Sequence, residues 1–339
     1  MDHAMARRQV LSAESPQGLV LPVLDITNPA FAPLLSEADI DGEIALYLEE
    51  ERKRRKAPRW LTRLMYWSAG RKAPLLRAIS GARSSYISGL ATYMLKLGPN
   101  HLAGPFDNRI DRIVAATLPA RSTRIRLQHM AELLADGITP ALAADAKLPL
   151  HFVDIAGGPA MDTLNALILL AERNRELLAT RKTHIHILDL DREGPAFAAA
   201  ALAALKGEDG PLHGLDITVL YKRNDWTATG TLSELLAELR GSGAIVAASS
   251  EGGLFEYGSD ADIKTNLGAL HAGLSSSALV VGSVTRDDEA TRMLNSGGAP
   301  IKTIPRGLER FSALAEAAGF SVEKSRRSAF ADEVLLRKR

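Results

Sequence analysis

The chain has 339 residues, no cysteine, a formal net charge of +1 at pH 7, and 46% hydrophobic against 24% charged residues. That balance describes a folded globular protein of one large or two smaller domains, and it excludes disulfides, thiolate nucleophiles and thiolate metal sites. A net charge so near zero gives no overall field toward nucleic acid or an acidic membrane, so neither is an expected partner.

The N-terminus, MDHAMARRQVLSAESPQG, carries no apolar leader segment, and the longest apolar run, residues 196–205, is too short to span a bilayer. The cytoplasm is the expected compartment. Residues 1–40 are punctuated by Pro16, Gly18, Pro22, Asn28-Pro29 and Pro33, which forbid a long helix. Residues 39–66 are the first helical pattern, with Ile44, Ala45, Tyr47 and Leu48 leading into Glu49–Glu51 and the basic run 52–56, before Pro58 interrupts. The basic run lies near Trp60, Tyr66 and Trp67, but its acids and bases pair at i,i+4, as on a solvated helix face. Residues 75–97 form another helical region, broken at Gly81 and Gly89 and carrying Tyr86 and Tyr93. Stretches 110–118 and 124–134 continue the helical pattern, and 139–149 reads as a connection. No period-2 alternation precedes residue 149, so residues 1–148 are predicted to be an α-helical cap or substrate domain.

After residue 149 strands and helices alternate. Strands are predicted at 151–155, 184–190, 216–221, 244–248 and 278–284, with helices at 162–178, 195–205, 232–239, 260–274 and 306–318. Segments 320–324 and 333–337 can close as an antiparallel pair. The predicted fold class is α/β: a Rossmann-like, doubly wound, mostly parallel sheet with a terminal antiparallel hairpin, spanning residues 149–339.

The first strand–helix crossover, LHFVDIAGGPAMDTLN at 150–165, has the parts of a nucleotide-binding crevice: a buried strand, an acid, a glycine turn and a helix N-terminus. A dinucleotide fingerprint would need glycine at 156, 158 and 161, which this chain lacks. At the end of the second strand, Asp189 is placed to accept hydrogen bonds from a ribose, with Asp191 the candidate helix cap. The spacing Asp154-x-Ala156-x-Gly158-x-Ala160 resembles the acid-x-Gly-x-Gly-x-Gly motif of class I S-adenosylmethionine (SAM) methyltransferases, with alanine at two of the three glycine positions.

That resemblance covers roughly residues 149–339 and implies SAM as the cofactor, held by Asp154, Ala156, Gly157, Gly158 and Asp189. It further implies that Asp225, after the third strand, bonds the adenine amino group and that Trp226 packs on the ring. After the fourth strand, Ser249 and Ser250 join the cofactor side. Gly252 and Gly253 permit close backbone approach, and Glu251 can orient an amine or act as a base. Phe255 or Tyr257 can face the sulfonium.

The function implied is methyl transfer to a small molecule by in-line attack on the sulfonium methyl, which needs positioning and desolvation more than acid–base groups. An alternative keeps the fold and changes the chemistry. In azetidine-2-carboxylate synthases the SAM amino group attacks its own Cγ and expels methylthioadenosine, and here Glu251, Tyr86 or Tyr93 could hold that amine. A non-catalytic SAM-binding module is a further alternative, and an NAD(P) oxidoreductase ranks below all three. No metal site is predicted: His184 and His186 alternate on one strand face without further ligands nearby in sequence, which suits a structural role. His101 and His129 are minor candidates for a base in the cap. The expected assembly is a monomer or homodimer.

Overall fold

The computed structural model describes residues 9–32, 35–56, 58, 70–80, 89–297 and 302–339. It opens on a short ribbon, β1 (Ser12–Glu14) antiparallel to β2 (Val20–Pro22), with Gly18 at φ +76° in the turn between them. No strand is predicted this early in the chain. Three-residue strands are too short to show alternation, and only Ala13 and Leu21 are buried along them.

Helices follow: α1 (Ile40–Arg54), which ends before the expected 39–66 stretch does, residues 59–66 of that stretch lying outside the described residues, then α2 (Pro74–Ser80), α3 (Gly89–Leu97), α4 (Arg109–Ala116) and α5 (Leu118–Ala144). Asn108 starts α4 by accepting the N–H groups of Ile110 and Asp111 at 3.1 and 3.0 Å. Helix α5 corrects the predicted boundary, because it runs on through Pro140 and absorbs part of the expected connection. A proline inside a helix costs roughly 3 kcal/mol, and the burial of Leu133, Leu134, Ile138 and Leu142 along the same helix offsets it. Gly137 lets that helix settle onto the sheet, since a Cβ there would lie 2.6 and 2.8 Å from side-chain carbons of Leu335 and Leu279.

Beyond residue 149 every expected strand is present: β3 (Leu150–Ile155), β4 (Thr183–Asp189), β5 (Ile217–Arg223), β6 (Ile245–Ser250), β7 (Leu279–Thr285), β8 (Phe320–Arg327) and β9 (Ala331–Lys338). They form one sheet in the order β5-β4-β3-β6-β7-β9-β8. The first five are parallel, and β9 enters antiparallel between β7 and β8. The crossovers are α6 (Met161–Asn174) with α7 (Glu176–Ala179), then α8 (Glu193–Leu205), α9 (Gly230–Gly241), α10 (Leu254–Tyr257) and α11 (Asp260–Gly273); α12 (Glu289–Asn295) and α13 (Gly307–Ala317) lead into the hairpin. Strand order reverses between β3 and β6, and a crevice opens there at the carboxyl ends of the strands.

Both sheet faces are buried, so β3 reads as a nearly continuous apolar run. Leu150 and Phe152 face one cluster, which takes in Leu164 and Leu167 of α6, Leu134 and Ile138 of α5, and Tyr93, Met94 and Leu97 of α3. Val153 and Ile155 face the other, with Leu235, Leu236, Leu267 and Phe311. Helix α3 therefore shares a core with the sheet. Among the described residues no helix is long and apolar enough to cross a membrane.

The strand register brings a third histidine beside the two singled out in the sequence. His151 pairs with His184 across β3 and β4, and its Nδ1 lies 2.8 Å from Nε2 of His186. No group of three or more His, Asp or Glu side chains among the described residues is arranged to hold a metal. Burial, followed by the neighbouring imidazoles (and, for His186, Lys222), pushes His151 and His186 down to about 4 from 6.5. Because both bind protons more readily unfolded, their contribution is intact above about pH 6.5 and is lost as pH falls toward 4. Buried acids such as Asp162 and Glu333, whose carboxyls are raised mainly by burial, act in the opposite sense. The difference between wild type and His151→Asn isolates the imidazoles. The drop in urea midpoint between pH 7 and 4.5 should be smaller in the variant, and an equal or larger drop would refute this assignment.

Candidate functional site

The motif at the end of β3 is a backbone shape before it is a set of side chains. Ala156, Gly158 and Ala160 have φ of +55°, +52° and +50°, so every second residue of the motif is left-handed. Glycine adopts that conformation freely, whereas an L-residue with a Cβ pays roughly 1–2 kcal/mol. The two alanines satisfy the same turn at that strain. Gly253 makes room for one of them, since a Cβ on it would lie 2.8 Å from the Ala156 methyl.

Gly158 is enclosed by glycines from two other elements. A Cβ on Gly89, at the start of α3, would lie 3.0 Å from Gly158 Cα, and one on Gly194, in α8, would lie 2.7 Å from the Gly158 carbonyl carbon. Asp189 then ties β4 to this turn. Its Oδ2 accepts Gly158 N–H at 2.9 Å and its Oδ1 accepts Asp191 N–H at 2.8 Å. Burial, and then the charge of Asp191, raises its carboxyl above the ordinary value despite those bonds. Asp191 Oδ1 accepts Glu193 N–H at 3.0 Å at the start of α8, while its shielded Oδ2 has no partner.

The resulting cleft, about 290 Å³, follows the sheet order. Asn224 and Trp226 line it after β5, Asp189 after β4, the turn Ala156–Pro159 after β3, and Glu251–Gly253 with Tyr257 after β6; Gly89, Thr92 and Lys96 of α3 cover it. Of the predicted cofactor-side residues, Ala156, Gly157, Gly158, Asp189 and Trp226 come together on its wall, as does Glu251.

The structure places the others differently. Asp154 is fully buried beneath the turn, where it accepts Thr163 Oγ1–H at 2.8 Å and a short bond from Ser249 Oγ. Burial, and next the charge of Asp162, pushes it well above the usual carboxylate range. Ser250 Oγ donates to Ile155 O and accepts Leu254 N–H, both at 2.9 Å. These three residues brace the floor from behind and are absent from the cleft wall. Asp225 is exposed and turns back on its own loop, accepting N–H and Oγ1–H of Thr227 at 3.0 and 2.8 Å. Its neighbour Asn224 faces the cleft instead, buried, with an Oδ1 that has no hydrogen-bond partner. Sequence reasoning missed it because one step along a turn reverses a side chain; the polar amide ahead of Asp225-Trp226 was the available signal.

Tyr93 is in the core, its ring 4.8 Å from Phe197 and its hydroxyl accepting Leu24 N–H at 3.0 Å, so the structure gives it no place at the cleft. Tyr86 lies outside the described residues. Phe255 packs on Phe311 at 4.9 Å, which leaves Tyr257 as the aromatic group at the β6 end of the cleft. His129 is locked between Glu333 and Glu37 at 2.9 Å each, and His101 bonds Ala30 O at 2.8 Å. Neither lines the cleft.

Glu251 is held in a buried chain of charges. One oxygen pairs with Lys96 Nζ and the other with Arg126 Nε at 2.7 Å, and Arg126 Nη1 reaches Glu256 at 3.0 Å. Burial opposes ionisation of Glu251, but the two cations outweigh it and hold the carboxyl below its ordinary range. It is an ionised, anchored group and a weak base.

No protein-family model and no curated protein sequence matches the chain. Among solved structures, a possible exported protein from Bordetella parapertussis is 15% identical over 90% of this chain and 99% of its own, with a TM-score of 0.55. The mitomycin 7-O-methyltransferase MmcR is 15% identical over 91% of this chain and 74% of its own, at a TM-score of 0.42. Human N-acetylserotonin methyltransferase in complex with SAM is 14% identical at a TM-score of 0.38; the match covers 66% of this chain and 59% of that enzyme, less than two thirds of its length. The Bordetella likeness, at that identity, is a likeness of fold. Together with five parallel strands closed by an antiparallel hairpin in the order β5-β4-β3-β6-β7-β9-β8, it shows that the chain has a Rossmann-like, doubly wound α/β fold with a mostly parallel sheet.

Proposed function

We propose that the cleft binds SAM and that the chain transfers its methyl group to a small molecule. One observation carries this: an acceptor, a flat wall and a carboxylate stand in sheet order along one cleft, and the acceptor, Asn224 Oδ1, is buried and unsatisfied. A buried polar atom without a partner is costly, and an adenine amino group would satisfy it. Trp226 supplies the apolar wall, its carbonyl fixed by Asn266 Nδ2 at 2.7 Å. Asp189, pinned to Gly158 and Asp191, keeps oxygen lone pairs for ribose hydroxyls.

Bound SAM supplies an electrophilic methyl on a sulfonium. The chain's own part is to bind, orient and exclude water. Glycines at 157, 158 and 253 permit close backbone approach, α3 covers the turn, and Tyr257 and Glu251 give the β6 end an aromatic face and a fixed negative charge. Replacing Asn224 by leucine should weaken adenosine binding about tenfold or more and abolish its preference over inosine, whereas Asp225→Asn should leave both unchanged. Calorimetric titration checks this; the reverse pattern would restore Asp225 as the adenine ligand.

A second chemistry, ring closure of SAM to azetidine-2-carboxylate, draws support from the cleft's size. About 290 Å³ lies just below the usual range of small-molecule sites, roughly 300–1,000 Å³, which is small for a cofactor together with a second substrate. The anionic state of Glu251 works against it, because it stabilises the ligand's ammonium over the free amine that ring closure needs. Incubation with SAM alone, then with a panel of phenol, amine and carboxylate acceptors, separates the two by mass spectrometry. Methyl transfer gives S-adenosylhomocysteine only when an acceptor is present. Methylthioadenosine formed from SAM alone would overturn it in favour of the cyclase.

A further inference from the structure

We propose that a second cavity, at the far end of α8 from the cleft, binds a small organic ammonium ion, with the charge against Asp25 and the carbon skeleton on an apolar wall. The inference stands apart from the SAM reading.

The cavity measures about 350 Å³, within the range of small-molecule sites, roughly 300–1,000 Å³. It shares no lining residue with the cleft, and α8 separates the two. Gly194, at the start of that helix, stands against the Gly158 turn, and Leu205, its last residue, lines the second cavity. At 1.5 Å per residue, roughly 16 Å of helix lies between them.

The opposite wall is the segment that leaves the N-terminal ribbon, carrying Val23 and Asp25. It is held from both sides. The Tyr93 hydroxyl accepts Leu24 N–H at 3.0 Å, Asn165 Oδ1 accepts Ile26 N–H at 2.8 Å, and Asn165 Nδ2 donates to Leu24 O at 3.0 Å. Asp25 is therefore positioned before a ligand arrives, and binding entails little reorganisation.

Asp25 is only 7% exposed, yet it lines the cavity. Its Oδ1 accepts the N–H and hydroxyl of Thr27 at 2.9 and 2.7 Å, and among the described residues its Oδ2 accepts no hydrogen bond. A carboxylate withdrawn from water with one oxygen unserved is costly, and a charged N–H donor offsets that cost. The rest of the lining sets the sign and kind of ligand. Asp209, which is exposed, adds a second acid, and no Lys, Arg or His is among the described residues that line the cavity. A bare metal ion would need several oxygen ligands, and no group of three or more His, Asp or Glu side chains among the described residues is arranged to hold one. Leu11, Val23, Leu205 and Pro211 instead offer an apolar surface to a carbon skeleton.

The test uses three probes with one skeleton: cyclohexylmethylammonium, cyclohexylmethanol and cyclohexanecarboxylate, each titrated against the full chain by ligand-observed NMR. The ammonium should bind about tenfold or more tightly than the alcohol, and the carboxylate should not bind. Asp25→Asn keeps the oxygen that Thr27 uses and removes the charge, so the ammonium's advantage should fall to about threefold or less. Asp209→Asn, at an exposed position that does not threaten the fold, should lower ammonium affinity about two- to threefold. Equal wild-type affinity for ammonium and alcohol, no binding of the ammonium, an advantage that survives Asp25→Asn, or no effect of Asp209→Asn would each overturn the proposal. These outcomes require no adenosyl ligand, so failure of the SAM reading would leave the test standing. Excess S-adenosylhomocysteine should leave ammonium affinity unchanged, and displacement by it would place the ammonium in the first cleft and overturn the second site.

Discussion

Replacing Arg126 by methionine should destabilise the fold by about 3–5 kcal/mol, the effect of removing one partner from a buried ion pair. The mechanism is the charge left behind. Glu251 and Glu256 are 5% and 4% exposed, and Arg126 is the cation between them. Their charges hold its guanidinium above its ordinary range despite burial, so the variant leaves two acids facing each other with Lys96 alone. Both glutamates can escape only by protonation or by movement of the loop after β6, which is the cleft wall. Urea unfolding followed by tryptophan fluorescence measures the loss. Arg173→Met is the control, because its pair with Asp136 is half exposed on both sides and should matter little. Equal midpoints for the two variants would contradict the network as drawn.

Gly194→Ala should weaken nucleoside binding by roughly a hundredfold while costing only about 1–3 kcal/mol of stability. The added Cβ would meet Gly158 at 2.7, 2.8 and 3.0 Å, at its carbonyl carbon, Cα and carbonyl oxygen. All three are backbone atoms, so no rotamer change relieves the contact. The turn has to move, and the Gly158 N–H to Asp189 bond that fixes the carboxylate moves with it. Gly230→Ala, with nothing within 4 Å of its added Cβ, serves as the comparison. Calorimetry with S-adenosylhomocysteine reads both, and wild-type affinity in the Gly194 variant would show that the turn does not form the ligand wall.

The sheet was legible because strand and helix signals alternate cleanly after residue 149, and the order of acids and glycines at the strand ends placed most of the cleft. What escaped was of two kinds. Short or contradictory local signals hid β1 and β2, each three residues long, and the continuation of α5 through Pro140. Direction and distance hid the rest. Asn224 rather than Asp225 faces the cleft because successive residues of a turn point apart. Lys96 and Arg126 meet Glu251 across 155 and 125 positions of sequence, so nothing near Glu251 announces the partners that keep it ionised. The alanines at 156 and 160 weakened the motif as a string, yet the backbone conformation it encodes is intact.

The most direct measurement is a calorimetric titration of the purified chain with SAM and, separately, with NAD. One SAM should bind per chain. NAD should give no heat, because Gly89 and Gly194 stand against Gly158 where a pyrophosphate would need to lie. Binding of NAD, or no binding of SAM, would contradict the assignment of this cleft.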